Sequence, residues 1–389
     1  MSVTGPAGFV AASGAAGIKA NGSPDVAVVA TADGRPVAAA GVFTTNLAPA
    51  GPVVVSREHL AASGGRAAAV VLTSGNANAA NGGAGKAAAS RLCELVGEGI
   101  GAEVGHVLIG QTGLIGVPFP IEVASGAVGP IVANRGSDRT DASGAAHAIL
   151  TTDTVAKEVL VERDGFSVGA MAKGAAMLAP HMATMLALLT TDARVDPPTL
   201  HAALTAAVGP SFNSLTVDGC TSTNDTVLVL ASGLAGPPGP GALESALAEV
   251  CAVLAGQMAA DAEGATKVAR IRVTGAASDG QAHQAARKVA DSLLVKCSFN
   301  GEDPYWGRVV SELGTAGVDF DPDLVSVSYG GVTVCRAGVA AAHDRAAVRA
   351  HMSGRDIDLH CELGLGNGSG AVLTTDLGYG YIDENRTTS

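Results

Sequence analysis

Aromatic residues make up only 3% of this chain and charged residues 15%, and the charges lean acidic, to a net −12. Each scarcity excludes something. Without a cationic excess there is no electrostatic footprint for nucleic acid, whose phosphates need a basic face. With so few rings, the core must be filled by small aliphatic side chains packed between 52 glycines, so close backbone approaches are expected. The six cysteines, at 93, 220, 251, 297, 335 and 361, form no C-x-x-C pair, and none stands at metal-ligand spacing from the nine histidines. His360 and Cys361 are adjacent, which alone is weak. Reduced, mostly buried thiols are expected, with no metal and no redox cofactor. The amino-terminal MSVTGPAGFVAASGAAG has neither a basic start nor an unbroken apolar run, and no stretch approaches roughly eighteen uninterrupted apolar residues. No membrane association and a cytoplasmic location are therefore expected.

Familiar catalytic signatures are missing as well. There is no G-x-S-x-G, and no histidine stands in a recognisable catalytic context; His181 reads as a solvated loop residue. NGGAGKAAA at 81–89 fails as a phosphate loop, because Ala80 stands where the first Gly belongs and Ala87 where Ser or Thr must reach magnesium. The Gly-rich run at 366–370 is followed by a strand pattern, AVLTTDL, so it lacks a helix N-terminus for phosphate and reads as a hairpin turn.

What is present is 389 residues, 47% of them hydrophobic, enough for one large or two medium domains. Strand-like and helix-like segments alternate, which predicts a mixed α/β architecture. Strands are expected at 24–31, 41–45, 67–74, 166–178, 184–196, 224–232 and 325–335, and helices at 82–100, 198–213, 241–269 and 283–297. The character changes near residue 272, which predicts a catalytic core over 1–271 and a smaller α/β domain over 272–389.

The chemistry concentrates between Gly169 and Leu186. Lys173, in an Ala-Lys-Gly stretch, lies eleven residues before Thr184, which opens Thr184-Met185-Leu186 after Ala183. Here the sequence resembles the ornithine acetyltransferase (glutamate N-acetyltransferase) family, whose precursor cleaves itself at an Ala-Thr bond. LTSGNANAANG at 72–82, QTGLIG at 111–116, Thr151-Thr152-Asp153-Thr154, DGCTSTNDTVLVLASG at 218–233, DAEGATK at 261–267 and GEDPYWGRV at 301–309 resemble further family blocks, in the family's order.

The resemblance implies a four-layer αββα core like that of the N-terminal-nucleophile hydrolases, with a smaller C-terminal α/β domain whose tail returns to the active site. It implies cleavage between Ala183 and Thr184 and assembly of two α and two β chains as a heterotetramer. Thr184 would be the nucleophile, with Thr112 and Gly113 stabilising the oxyanion. Thr151, Lys173, Thr184, Glu263, Asn385 and a final hydroxyl residue (Ser389, with Thr388 as the alternative) would bind substrate. The implied reaction moves an acetyl group from N2-acetylornithine to glutamate without a cofactor, and acetyl-CoA stays open as a co-substrate. The chain departs from the family pattern in two places. Its end, ENRTTS, keeps Asn385 but lacks a tyrosine and is one residue short, and Asn300 stands where the family usually has histidine.

Elementary chemistry supports Thr184 separately. A threonine hydroxyl is a weak nucleophile unless a base takes its proton. Hydrolysis of the preceding bond would give the same residue an α-amine with an unperturbed pKa of about 7.7–8.0, suited to that task at neutral pH. A self-processing amidase or aminopeptidase of the same fold, with water in place of glutamate, is the alternative reading. A paralogue with an altered acyl acceptor is another.

Overall fold

The structure, a computed structural model, describes residues 2–177 and 185–386. Ala183, Thr184, Ser389 and the expected connection at 179–181 lie outside the described residues. The chain divides into two compact units: the part up to Asn213 together with Thr221–Met258, and Ser214–Cys220 together with the part from Ala259 onward.

In the first unit the strands are β1 (Phe9–Gly14), β2 (Val26–Thr31), β3 (Val37–Phe43), β4 (Arg66–Ala67), β5 (Ala69–Asn76), β6 (Val107–Leu114), β7 (Lys157–Arg163), β8 (Phe166–Lys173), β9 (Leu186–Thr191) and β10 (Thr226–Ala231). Its helices are α1 (Gly51–Ala62), α2 (Gly82–Ile100), α3 (Ile121–Ala133), α4 (Arg139–Ala148), α5 (Pro197–Val208) and α6 (Ala242–Ala260). One sheet runs β1-β2-β5-β6 and another β4-β3-β10-β9-β8-β7; β5–β6 and β9–β10 are parallel, the other pairs antiparallel.

Period-two alternation builds the layers. Val26, Val28, Val71, Val107 and Ile109 pack with Leu92, Val96 and Val128 of α2 and α3. Their neighbours Ala27, Val29, Val70, Leu72 and Leu108 face the other way, onto Met171, Leu186, Leu188, Leu228 and Leu230 of the second sheet. On that sheet α5 lies against β3 and β10, while Glu249 and Gln257 tie α6 to Arg163 and the Glu158 carbonyl of β7. Helices, sheet, sheet, helices: the four-layer αββα expectation holds. Among the described residues, α6 is long and apolar enough to span a membrane, but half of its most apolar stretch is buried.

Local chemistry sets the boundaries. Helix α2, expected over 82–100, ends at Gly101 with φ 75°, a left-handed cap that suits glycine. Asp196 accepts the Thr199 N–H at 3.0 Å and Pro197 opens α5.

The second unit holds β11 (Val268–Ala276), β12 (Ser326–Tyr329), β13 (Val332–Arg336), β14 (Val339–Ala340), β15 (Asp356–Glu362) and β16 (Gly368–Thr375) in one sheet of order β14-β13-β12-β15-β11-β16. One face is covered by α7 (Asp279–Asp291), α8 (Leu293–Asn300), α9 (Trp306–Leu313) and α10 (Arg345–Ser353) through Ala285, Val289, Phe299, Leu313 and Met352. The short α11 (Tyr379–Glu384) follows.

Four sequence expectations need correction. The helix expected over 241–269 stops at Ala260, and Val268 already begins β11. Between them Gly264 has φ 62°, and the Asp376 carboxylate accepts from Thr266 N, Lys267 N and Thr266 Oγ1 at 2.6–2.8 Å, fixing a turn. The boundary expected at 271 falls inside β11, which a cut there would split. The Gly-rich run at 366–370 is no hairpin turn: it leads from β15 into β16, and those strands flank β11 on opposite sides. The helix expected over 283–297 is broken at Ser292, whose hydroxyl caps α8. All six cysteines are free, four of them buried.

Candidate active site

The parallel pairing of β5 and β6 sets Ser74 beside Thr112 and Gly75 beside Gly113. Gly113 has φ 131°, and a Cβ there would lie 2.2 Å from the Gly75 carbonyl carbon, so no other residue fits. The Thr112 hydroxyl is buried and has no hydrogen-bond partner among the described residues. A buried hydroxyl left unpaired costs about 1–3 kcal/mol, and such a group needs a reason.

The surrounding loops are held by amides that the sequence reading passed over. Asn78 Nδ2 donates to Gln111 Oε1 and to the Gly85 carbonyl, both at 2.8 Å, and Gln111 Nε2 donates to Thr73 Oγ1 at 3.0 Å. Asn224 Nδ2 donates to the Gln111 carbonyl at 2.9 Å. The asparagines of the 72–82 and 218–233 blocks thus fix the backbone that carries Thr112.

A second cluster forms where β7 begins and β8 ends. Lys173 Nζ donates to Thr151 Oγ1 at 2.7 Å and lies 3.5 Å from Asp153 Oδ2. Lys157 Nζ donates to Asp153 Oδ1 at 2.8 Å, and the Gly174 N–H donates to the same oxygen at 2.7 Å. Asp153, Lys157 and Lys173 are all buried, although Lys173 taken alone reads as a surface charge. Burial by itself would raise the Asp153 carboxyl, but the Lys173 and Lys157 ammoniums hold it well below the usual carboxylate range. The structure therefore joins Thr151 to Lys173 and supplies two partners, Asp153, which stood in a quoted block without a role, and Lys157, which no motif flagged.

Asp225 is the third feature. It is fully buried, its Oδ1 accepts the Met185 N–H at 3.0 Å, and its Oδ2 has no partner among the described residues. Burial pushes this carboxyl well above its usual range, against the weaker pull of the Met185 N–H and the Lys173 charge. Met185 is the residue directly after Thr184. Lys19 also feels the cluster. Burial lowers its ammonium's pKa, Asp25 opposes that, and the like charge of Lys173 adds to it. Its loop is pinned because the N–H groups of Ala16, Ile18 and Lys19 all donate to the Asp25 carboxylate at 2.6–3.0 Å.

In the second unit, Asn385 Nδ2 donates to Glu263 Oε2 at 2.7 Å and to the Tyr381 carbonyl at 2.9 Å, so the structure brings these two expected site residues together. The turn bearing Glu263 is pressed against α11, since a Cβ at Gly264 would lie 2.1 Å from the Gly380 carbonyl carbon. Asn300 donates to Asp376 Oδ2 at 2.8 Å, the carboxylate that fixes the same turn. Its departure from histidine therefore falls on a structural contact beneath Glu263. Among the described residues no three His, Cys, Asp or Glu side chains converge as a metal site, and His360 Nε2 faces Thr274 Oγ1 at 2.7 Å.

A model of the ArgJ family matches residues 10–387. The chain is 45% identical to the arginine biosynthesis bifunctional protein ArgJ of Mycobacterium tuberculosis over 394 residues, covering 100% of this chain and 96% of that one. It is 45% identical to the protein of the same name from Thermobifida fusca over 390 residues, with 100% of both chains covered. A solved chain of ornithine acetyltransferase from Mycobacterium tuberculosis, complexed with ornithine, is 40% identical; the match covers 46% of this chain and 94% of that one, with a TM-score of 0.44. This chain belongs to the ArgJ family.

Proposed function

We propose that this chain is a self-processing acetyltransferase of arginine biosynthesis, which moves an acetyl group from N2-acetylornithine to glutamate through an acetyl-threonine. The observation that carries this reading is the buried Thr112 hydroxyl, left without a partner beside a Gly113 that admits no side chain. A donor kept unpaired in the resting protein is what a developing oxyanion requires, and no reorganisation is then needed as charge appears. The names of the relatives support the pathway.

In processing, Thr184 Oγ would attack the Ala183 carbonyl carbon. The Ala183–Thr184 C–N bond breaks, the released nitrogen takes the hydroxyl proton, and water hydrolyses the resulting ester. Ala183 is left as a carboxylate and Thr184 with a free α-amine. In turnover that amine would take the Thr184 hydroxyl proton as Oγ attacks the acetyl carbonyl, then pass it to the departing ornithine nitrogen. The α-amine of glutamate attacks the acetyl ester in turn, giving N-acetylglutamate and restoring Thr184. One amide is exchanged for another, so neither metal nor redox cofactor is invoked.

Lys173, with Thr151, is assigned to a substrate carboxylate, and Glu263, with Asn385, to an ammonium. Ser389 or Thr388 is assigned the last contact. The relatives are named bifunctional, and we read the second activity as acetyl transfer to glutamate from acetyl-CoA. Two α and two β chains per assembly, in the cytoplasm, complete the proposal.

Intact-protein mass spectrometry of wild type beside Thr184→Ala tests it. Two wild-type fragments parting after residue 183 and one full-length mutant chain are expected; cleavage elsewhere, or in the mutant, overturns the assignment. Labelled acetyl from N2-acetylornithine should appear on glutamate, whereas free acetate formed without an acceptor would favour the amidase reading.

A further inference from the structure

We infer that Asp225 is a positioning residue for self-processing, because its carboxyl anchors the backbone immediately after the bond that is cut. The inference rests on the self-processing proposed above. Met185 is held at both of its backbone groups: its carbonyl accepts the Thr226 N–H at 3.2 Å, and its N–H donates to Asp225 Oδ1 at 3.0 Å. The first bond is an ordinary rung at the head of the parallel β9–β10 ladder, where Thr226 pairs with Leu186. The second is not. Beyond the end of the ladder a side chain supplies the acceptor, and it does so from a site where the Asp225 carboxyl has no exposure.

That arrangement is costly for a purely structural purpose. Burying a carboxyl is unfavourable unless it is paired, and here one oxygen has no partner among the described residues. The Met185 nitrogen is bonded to the Thr184 carbonyl carbon, so fixing the Met185 N–H constrains the peptide unit that Thr184 shares with it. Attack of a hydroxyl on the preceding carbonyl depends on such constraint, and a displacement of about 1 Å can cost about 100-fold in rate. Burial raises this carboxyl against the pull of the Met185 N–H and the Lys173 charge, and what it offers Met185 is a hydrogen-bond acceptor. An asparagine oxygen in the same place would serve equally.

The test is the rate of Ala183–Thr184 cleavage, followed by intact mass from the freshly made precursor, for wild type, Asp225→Asn and Asp225→Leu, with thermal melting of each. Leu keeps the branching of Asp with bulkier methyl ends, and it cannot accept the Met185 N–H. Asp225→Asn is expected to cleave at roughly the wild-type rate, and Asp225→Leu to fold and cleave about 10- to 100-fold more slowly. A folded Asp225→Leu that cleaves like wild type overturns the inference, as does a folded Asp225→Asn that cleaves as slowly as the Leu variant is expected to. If Leu fails to fold, the rate of Asp225→Asn decides alone. A wild type that stays intact sinks the self-processing reading and this inference together, whereas the other outcomes reach only Asp225.

Discussion

Two buried carboxyls lie within reach of the Lys173 charge, and their surroundings push them in opposite directions. At the β7–β8 side, Asp153 faces two ammoniums and a backbone N–H and is held ionised. At the head of β10, Asp225 has one backbone N–H and burial pushes its carboxyl well above the usual range. Burial is similar at both; the donors differ. The difference matters for charge, because Lys157 and Lys173 together face one carboxylate and so keep one positive charge in excess. The proposed contact of Lys173 with a substrate carboxylate would draw on that excess.

The largest test of this contrast is one substitution made twice. Asp153→Asn leaves two buried ammoniums without a counter-charge and should destabilise the fold by about 3–5 kcal/mol in chemical denaturation. Asp225→Asn keeps an oxygen acceptor for the Met185 N–H and should cost less, about 1–3 kcal/mol for the amide N–H groups it leaves without a partner among the described residues. Equal losses would remove the contrast between the two carboxyls.

Thr112 sharpens the comparison from the side of an unpaired donor. Thr112→Val keeps the shape and removes a hydroxyl that has no partner among the described residues, so stability should hold or rise slightly. Acetyl transfer should fall by about 10²–10³ in kcat, the scale of one lost oxyanion donor. A stability loss with kcat unchanged would make Thr112 structural.

The gentlest test is the slope of stability with pH, at most about 1.4 kcal/mol per unit for one group. Asp153 is depressed in the folded state, so its contribution is present above about pH 4 and is lost as pH falls. Asp225 is raised, so the folded state holds a proton that the unfolded chain has released above about pH 4, and stability from this group declines as pH rises. Asp153→Asn should therefore flatten the acid limb, and Asp225→Asn should flatten the decline above it. Denaturation midpoints measured between about pH 3 and 8 read both.

Much of the layer structure was legible because it is written in short periods. The alternation Val26-Ala27-Val28-Val29 needs no partner to be seen, and Gly101 ends α2 by local conformation alone. Where the reading failed, the deciding contact was distant in sequence. Alanine-rich 261–267 continues a helical pattern, but Asp376 turns it into a loop. The run at 366–370 reads as a hairpin because nothing local says that β11, almost a hundred residues earlier, lies between the strands it connects.

The site divided in the same way. Thr112, Thr151, Lys173, Glu263 and Asn385 were named through motif resemblance, and the structure adds what each touches. Asp153 stood inside a quoted block without a role, and Asp225 likewise. Their importance comes from the register that sets Lys157 opposite Ala172 and Thr226 opposite Leu186, which pattern alone does not reveal.

The antiparallel β8–β9 pair also bears on what a cut before Thr184 would leave behind. Lys173 pairs with Leu186 and Val168 with Thr191, so neighbouring strands of one sheet belong to opposite sides of the cut. Met171 from one side and Leu186, Leu188 and Leu228 from the other share a single core. Scission would thus give two polypeptides that jointly own a sheet. Neither could leave without exposing that core, so dissociation and unfolding become the same event. The fragments would be expected to purify together in native buffer and to part only in denaturant, and separately expressed halves would have to fold on one another.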